Sequence, residues 1–306
     1  MPLDQEIVQV LQALEGAPPM ESLPVDVLRT SIAYPPLESR TPVGSVEELT
    51  VPAQDHALRA RLYRPAEPRS RGLMVFFHGG GFVFGNLETH DHVCRDLCVG
   101  AGCALLAIEY RLAPEHRFPL PADDCLNATR WVGEHAASLG FDPMRIVLVG
   151  DSAGGNLATV TSLRLRDEGG PTVRAQALIY PVTDYHTPAT GSYIENGTGY
   201  SLTRAAMIRF WGDYLEKAEH ALHPHASPLR APDLSRLPPT LVQTAEFDPL
   251  RDEGEAFAHR LLDAGVTVTL WREAGLIHGF ARMGLASAAA KRASARCAQW
   301  IAAALC

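Results

Sequence analysis

Short apolar runs alternate with longer stretches of helical period along most of this chain. The runs are Leu73–Phe77, Ala104–Ile108, Arg145–Val149, Ala175–Tyr180 and Thr240–Thr244, each bounded by Gly, Pro or Asp. Such runs read as buried strands of a mostly parallel sheet. Apolar residues recur at helical spacing near 88–100, 121–138, 154–167 and 251–264. Residues 45–51 and 58–64 alternate apolar with polar, which predicts antiparallel edge strands, and a last strand near 266–272 precedes a helix near 284–304. Eight strands interleaved with helices predict an α/β fold with helices on both faces of the sheet.

Two segments break this rhythm. Ile7, Val10, Leu11 and Leu14 predict an amphipathic helix near 4–15, followed by a Pro-rich stretch through Pro35, Pro36 and Pro42. Residues 184–224 hold a Gly/Thr-rich loop and then a helix, 203–217, with Phe210 and Trp211 adjacent. Ligand sites of open α/β sheets lie at the strand carboxyl ends, so this helix reads as a lid, with plain packing as the alternative.

The chain has 306 residues, 46% hydrophobic and 20% charged, enough for one large domain or two small ones. Its formal charge of -8 gives no general attraction for nucleic acid or anionic membrane. No run approaches the roughly 18 apolar residues that span a bilayer. The first residues lack the basic and apolar regions of a signal peptide, so cytoplasm is the expected location. Six cysteines without a CxxC pair read as buried free thiols. The His90/His92 and His223/His225 pairs have no third ligand nearby, so neither a metal nor another cofactor is expected.

The chemistry concentrates at Gly150-Asp151-Ser152-Ala153-Gly154, a G-x-S-x-G pentapeptide between a strand run and a helical stretch. That context makes a tight turn with the serine hydroxyl exposed at a helix N-terminus. His78-Gly79-Gly80-Gly81-Phe82 directly follows the run ending at Phe77. Its glycines allow N–H groups to face a reacting centre and form an oxyanion hole with the N–H of Ala153; a flexible turn is the alternative. His78 precedes the serine, against the usual order of serine, acid and histidine, and reads as a loop-holding residue. Asp248 stands at the end of the strand candidate Thr240–Phe247, ahead of its competitors Glu246, on the strand, and Asp252, in the first helical turn. His278 lies in a glycine-flanked segment, Gly275–Phe280, which reads as a loop beyond the last strand. Phe82, Phe84 and Trp211 line a substrate pocket on this reading, or are core aromatics.

Six motifs recur in order: HGGGF, YRLAPEH (Tyr110–His116), GDSAGGNLA (Gly150–Ala158), YP (Tyr180, Pro181), DPLRDEG (Asp248–Gly254) and HGF (His278–Phe280). Together they resemble the hormone-sensitive-lipase family of α/β-hydrolases, the bacterial family IV esterases, in its GDSAG branch. The resemblance implies one α/β-hydrolase domain with a catalytic triad of Ser152, Asp248 and His278. It implies an oxyanion hole from the N–H groups of Gly80, Gly81 and Ala153, and a helical cap from residues 1–45 and 184–224. It implies a small-molecule ester as substrate, short acyl chains, and a homodimer through the last sheet strand. An amidase on the same triad, or a non-catalytic binding protein of this fold, are the rival functions.

Overall fold

A computed structural model describes residues 2–305; Met1 and Cys306, the outer residues of the expected domain, lie outside the described residues. The strands are β1 (Ser45–Pro52), β2 (Ala57–Arg64), β3 (Leu73–Phe77), β4 (Ala104–Glu109), β5 (Ile146–Asp151), β6 (Val173–Ile179), β7 (Thr240–Phe247) and β8 (Val268–Ile277). The helices are α1 (Gln5–Ala13), α2 (Val25–Ser31), α3 (Asp91–Ala101), α4 (Leu120–His135), α5 (Ala153–Glu168), α6 (Gly191–Glu195), α7 (Arg204–Tyr214), α8 (Arg251–Asp263) and α9 (Ala288–Leu305). The strands form one sheet in the order β1-β2-β4-β3-β5-β6-β7-β8. β2 runs antiparallel to both β1 and β4, and the remaining strand pairs are parallel.

The two-residue period of a strand divides the core. On β3, Leu73, Val75 and Phe77 join a cluster with α4, α5 and α8, while Met74 and Phe76 point into a second cluster with α3 and α9. Both faces are therefore apolar, which is why the central strands are continuous hydrophobic runs. α7 packs over the first cluster through Phe210, Trp211 and Tyr214. The N-terminal region divides. Glu21 and Leu23 receive hydrogen bonds from Arg209 of α7, whereas α1 docks by Asp4 and Glu6 on Gly275 of β8 and Ala288 of α9.

One boundary corrects the sequence expectation in a way that matters. β8 does not stop near 272; it runs to Ile277, so His278 follows the strand directly. The register explains the extension. Ala245 pairs with Glu273 and Phe247 with Ile277, so β8 carries two extra residues there as a bulge. Gly275 sits in the bulge at φ +72, a left-handed conformation open to glycine, and its N–H donates to Glu246 Oε2 at 2.8 Å. A glycine within an apolar run reads as a loop when it is a bulge.

Candidate active site

Five side chains that matter each stand one residue past a strand: His78 after β3, Ser152 after β5, Tyr180 after β6, Asp248 after β7 and His278 after β8. These strands are parallel, so the five residues gather at one edge of the sheet.

Ser152 occupies φ +55, ψ −119, a conformation that costs a non-glycine residue about 1–3 kcal/mol. The surrounding fold imposes it. The Ser152 N–H donates to Ile179 O at 2.9 Å, and its carbonyl accepts from Asn156 and Val182. The turn is so tight that a Cβ on Gly150 would lie 2.2 Å from Gly154 O, and one on Gly154 would lie 1.9 Å from Phe77 O. Only glycine fits either place.

The Ser152 hydroxyl donates to His278 Nε2 at 3.0 Å. His278 Nδ1–H donates to Asp248 Oδ2 at 2.8 Å. Asp248 is fully buried, and its other oxygen accepts the Leu250 N–H at 2.8 Å. The ring of Tyr180 lies 4.7 Å from that of His278. The sequence competitors are engaged elsewhere: Glu246 accepts from Gly275, and Asp252 accepts the Ser192 N–H. The arrangement can draw the proton from a serine hydroxyl while a buried carboxylate stabilises the resulting imidazolium.

The glycine loop lies beside this serine. The Gly79 N–H donates to Asp151 Oδ1 at 2.8 Å. The N–H groups of Gly80, Gly81 and Ala153 have no acceptor among the described residues. His78 is stacked on Tyr110 with ring centroids 4.4 Å apart, and its Nδ1–H donates to Gly79 O. Burial pushes its pKa down to about 3, so it is a neutral loop-holding residue at physiological pH.

Phe82, Phe84 and Trp211 are at most 8% exposed. Phe82 stacks on Tyr214 at 3.8 Å and meets Trp211 at 5.9 Å, while Phe84 meets Phe210 at 5.6 Å. The loop and α7 are thus joined by aromatic packing. The Trp211 indole N–H finds no acceptor among the described residues. No cluster of three metal-ligating side chains occurs among the described residues; His92 donates to Arg282 O, and His223 lies edge-on to His225. Cys94, Cys98, Cys103, Cys125 and Cys297 are free and buried, and burial pushes Cys98, Cys103 and Cys297 up to about 12, which makes them poor nucleophiles.

Sequence reasoning gave no role to Asp151 or Glu253, although both lie inside quoted motifs. Both are buried acids, but their sequence neighbours include the polar Ser152 and Arg251 and Asp252, so no local pattern marks either one.

Comparison with known proteins agrees with this geometry. A family described as alpha/beta hydrolase fold matches residues 74–282. Carboxylesterase NlhH of Mycobacterium tuberculosis is 43% identical over 242 residues, covering 77% of this chain and 75% of that protein. Ethyl acetate hydrolase of Pseudomonas putida is 37% identical, covering 93% of each. The hyperthermophilic esterase of Pyrobaculum calidifontis superposes with a TM-score of 0.93 at 40% identity, covering 99% of each chain. The chain belongs to the alpha/beta hydrolase fold family and, within it, to the carboxylic ester hydrolases related to hormone-sensitive lipase.

Proposed function

We propose that this chain is a serine carboxylesterase that hydrolyses short- to medium-chain esters through an acyl-enzyme on Ser152. The observation that carries the reading is the unbroken Ser152–His278–Asp248 hydrogen-bond chain, at 3.0 and 2.8 Å. His278 Nε2 takes the hydroxyl proton as Ser152 Oγ attacks the ester carbonyl carbon. Asp248 keeps the imidazole in the tautomer with Nδ1 protonated and stabilises its charged form. The carbonyl oxygen, now negative, is received by the free N–H groups of Gly80, Gly81 and Ala153. The imidazolium then gives its proton to the leaving alcohol, and water releases the acid by the same route.

Of the expected cap segments, 1–45 and 184–224, the first joins the second on this reading at Glu21 and Leu23, which meet α7, while α1 docks on β8 and α9. Phe82, Phe84 and Trp211 wall the acyl side. The close aromatic packing of α7 on the glycine loop supports a short acyl chain, as does the relative named for ethyl acetate. Buried, unpaired thiols suit a reducing compartment, and we place the protein in the cytoplasm.

The test is an acyl series of p-nitrophenyl esters from two to twelve carbons, run with the parent and with Ser152→Ala. The expected result is the highest kcat/KM at short chains, abolished in the variant. Near-normal turnover by Ser152→Ala would end the proposal.

A further inference from the structure

We propose that Asp151 is a positioning residue for this reaction: its carboxylate, by holding the Gly79 N–H, sets the oxyanion loop against the Ser152 turn. The inference rests on the serine-esterase reading above.

Asp151 is the last residue of β5, so its backbone leads directly into Ser152. Its Oδ1 accepts the Gly79 N–H at 2.8 Å across 72 residues of sequence. One side chain therefore ties the turn that carries the serine to the loop that carries the glycine amides. The fit is close: a Cβ on Gly79 would lie 2.5 Å from Asp151 Oδ2. Fixing the Gly79 amide on the carboxylate leaves the next two amides, Gly80 and Gly81, without acceptors and available to the reacting oxygen. A third part of the site is attached as well. The Tyr180 hydroxyl donates to Asp151 Oδ2 at 3.4 Å, and the ring of the same tyrosine lies against His278. His90 Nε2 stands 3.5 Å from Oδ1 on the remaining side.

Electrostatics decides what kind of help this is. Burial opposes the charge on Asp151, but His90 and the Gly79 N–H more than offset it, so the group is an anion. An anion beside the place where negative charge develops disfavours the transition state through space. What Asp151 contributes is placement of donors, since a misplacement of about 1 Å costs on the order of 100-fold in rate.

The experiment uses Asp151→Ala, Asp151→Ser and Asp151→Asn in the full chain. Active sites are counted by fluorophosphonate burst titration, and kcat and KM for p-nitrophenyl butyrate are expressed per labelled site. Asp151→Ala is expected to lose roughly 10- to 100-fold in kcat per labelled site, with KM moved less than about threefold. Affinity for a trifluoromethyl ketone, which forms a tetrahedral adduct on serine, is expected to fall in the same proportion. Asp151→Asn retains an oxygen for the Gly79 N–H and is expected to recover most of the loss. Asp151→Ser, whose hydroxyl falls short of Gly79, gives the same reading should the alanine variant not fold. A purely structural role lowers melting temperature and labelled fraction but leaves kcat per labelled site within about threefold, and that outcome overturns the proposal. Equal losses in the asparagine and alanine variants also overturn it. Failure of the parent to be labelled would instead overturn the esterase reading.

Discussion

His278 Nε2 lies 3.0 Å from Ser152 Oγ, although 126 residues separate them in sequence. Two strand ends, those of β5 and β8, bring them together. Replacing His278 with Ala is expected to lower kcat by about 10⁴- to 10⁶-fold with an unchanged circular dichroism spectrum. Asp248→Asn leaves the shape intact but offers the wrong tautomer, and roughly 10⁴-fold is expected. Single-turnover release of p-nitrophenol measures both, and a loss under tenfold in either removes that residue from the mechanism.

Gly154→Ala tests the tight turn. The added methyl would fall 1.9 Å from the Phe77 carbonyl, which belongs to a central strand and cannot give way. A loss exceeding about 3 kcal/mol in urea unfolding is expected. A variant as stable as the parent would show that the turn is looser than the fold requires.

Glu253 offers a pH test of stability. Its Oε1 accepts the Thr183 and Asp184 N–H groups, but complete burial outweighs them and raises its pKa well above the ordinary carboxyl value. The folded state therefore keeps a proton that the unfolded chain releases above about pH 4.3. Stability from this group is fully present below that value and declines as pH rises through the raised folded pKa. Glu253→Gln keeps the acceptor without the titration. Its melting temperature should exceed the parent's by more at pH 8 than at pH 4.5, and an equal difference at both would contradict the sign.

Asp91 behaves in the opposite way. It is 1% exposed and accepts from Arg40 and Arg95 at 2.6 Å, from Tyr63 at 2.8 Å and from Arg61 at 3.3 Å. Burial opposes its charge, yet Arg40 and Arg95 more than offset it and its pKa is lowered. Removing the carboxylate takes from Arg95 its carboxylate partner, while Arg40 keeps Glu88 and Arg61 keeps Glu48 and Glu88, and Asp91→Ala is expected to cost about 3 kcal/mol at pH 7. Since the folded pKa is depressed, the parent's advantage is fully present above about pH 3.9 and is lost as pH falls from there through the lower folded pKa. Urea titrations at pH 7 and pH 3 should show the gap narrowing; a constant gap would refute the linkage.

β8 pairs with β7 on one side only, and its first four residues are partly exposed. An open strand edge can pair with its copy across a twofold axis. A homodimer in light scattering is expected, and a monomer at about 50 μM would withdraw this expectation.

Much of this molecule is legible in its sequence because buried parallel strands are continuous apolar runs. Leu73–Phe77 carries nothing else, and its end locates His78; Thr240–Phe247 mixes in Gln243, Thr244 and Glu246, so its end leaves Asp248 with Glu246 and Asp252 as competitors until the structure separates them. The last strand is legible near 266–272 but its end is not, because Gly275 breaks the run where the chain only bulges. The two parts of the N-terminal region were not separable either. Which surface each part meets is settled by packing at long range, through Arg209 for Glu21 and Leu23 and through Gly275 for Asp4. Asp151 sits within the plainest motif of the chain, but its partner Gly79 is 72 residues away and no local pattern records that bond.

The bulge in β8 also constrains how chain length can vary. His278 is aimed at Ser152 only because two additional residues enter between Glu273 and Ile277. Adding or deleting one residue there would turn the imidazole to the other face of the sheet, since strand side chains alternate. The segment between β6 and β7 holds no such register, so insertions can accumulate there while the stretch from Val268 to His278 keeps a fixed count. The distance from base to nucleophile is thereby set by the residue count of β8, independently of the length of the segment that carries α7.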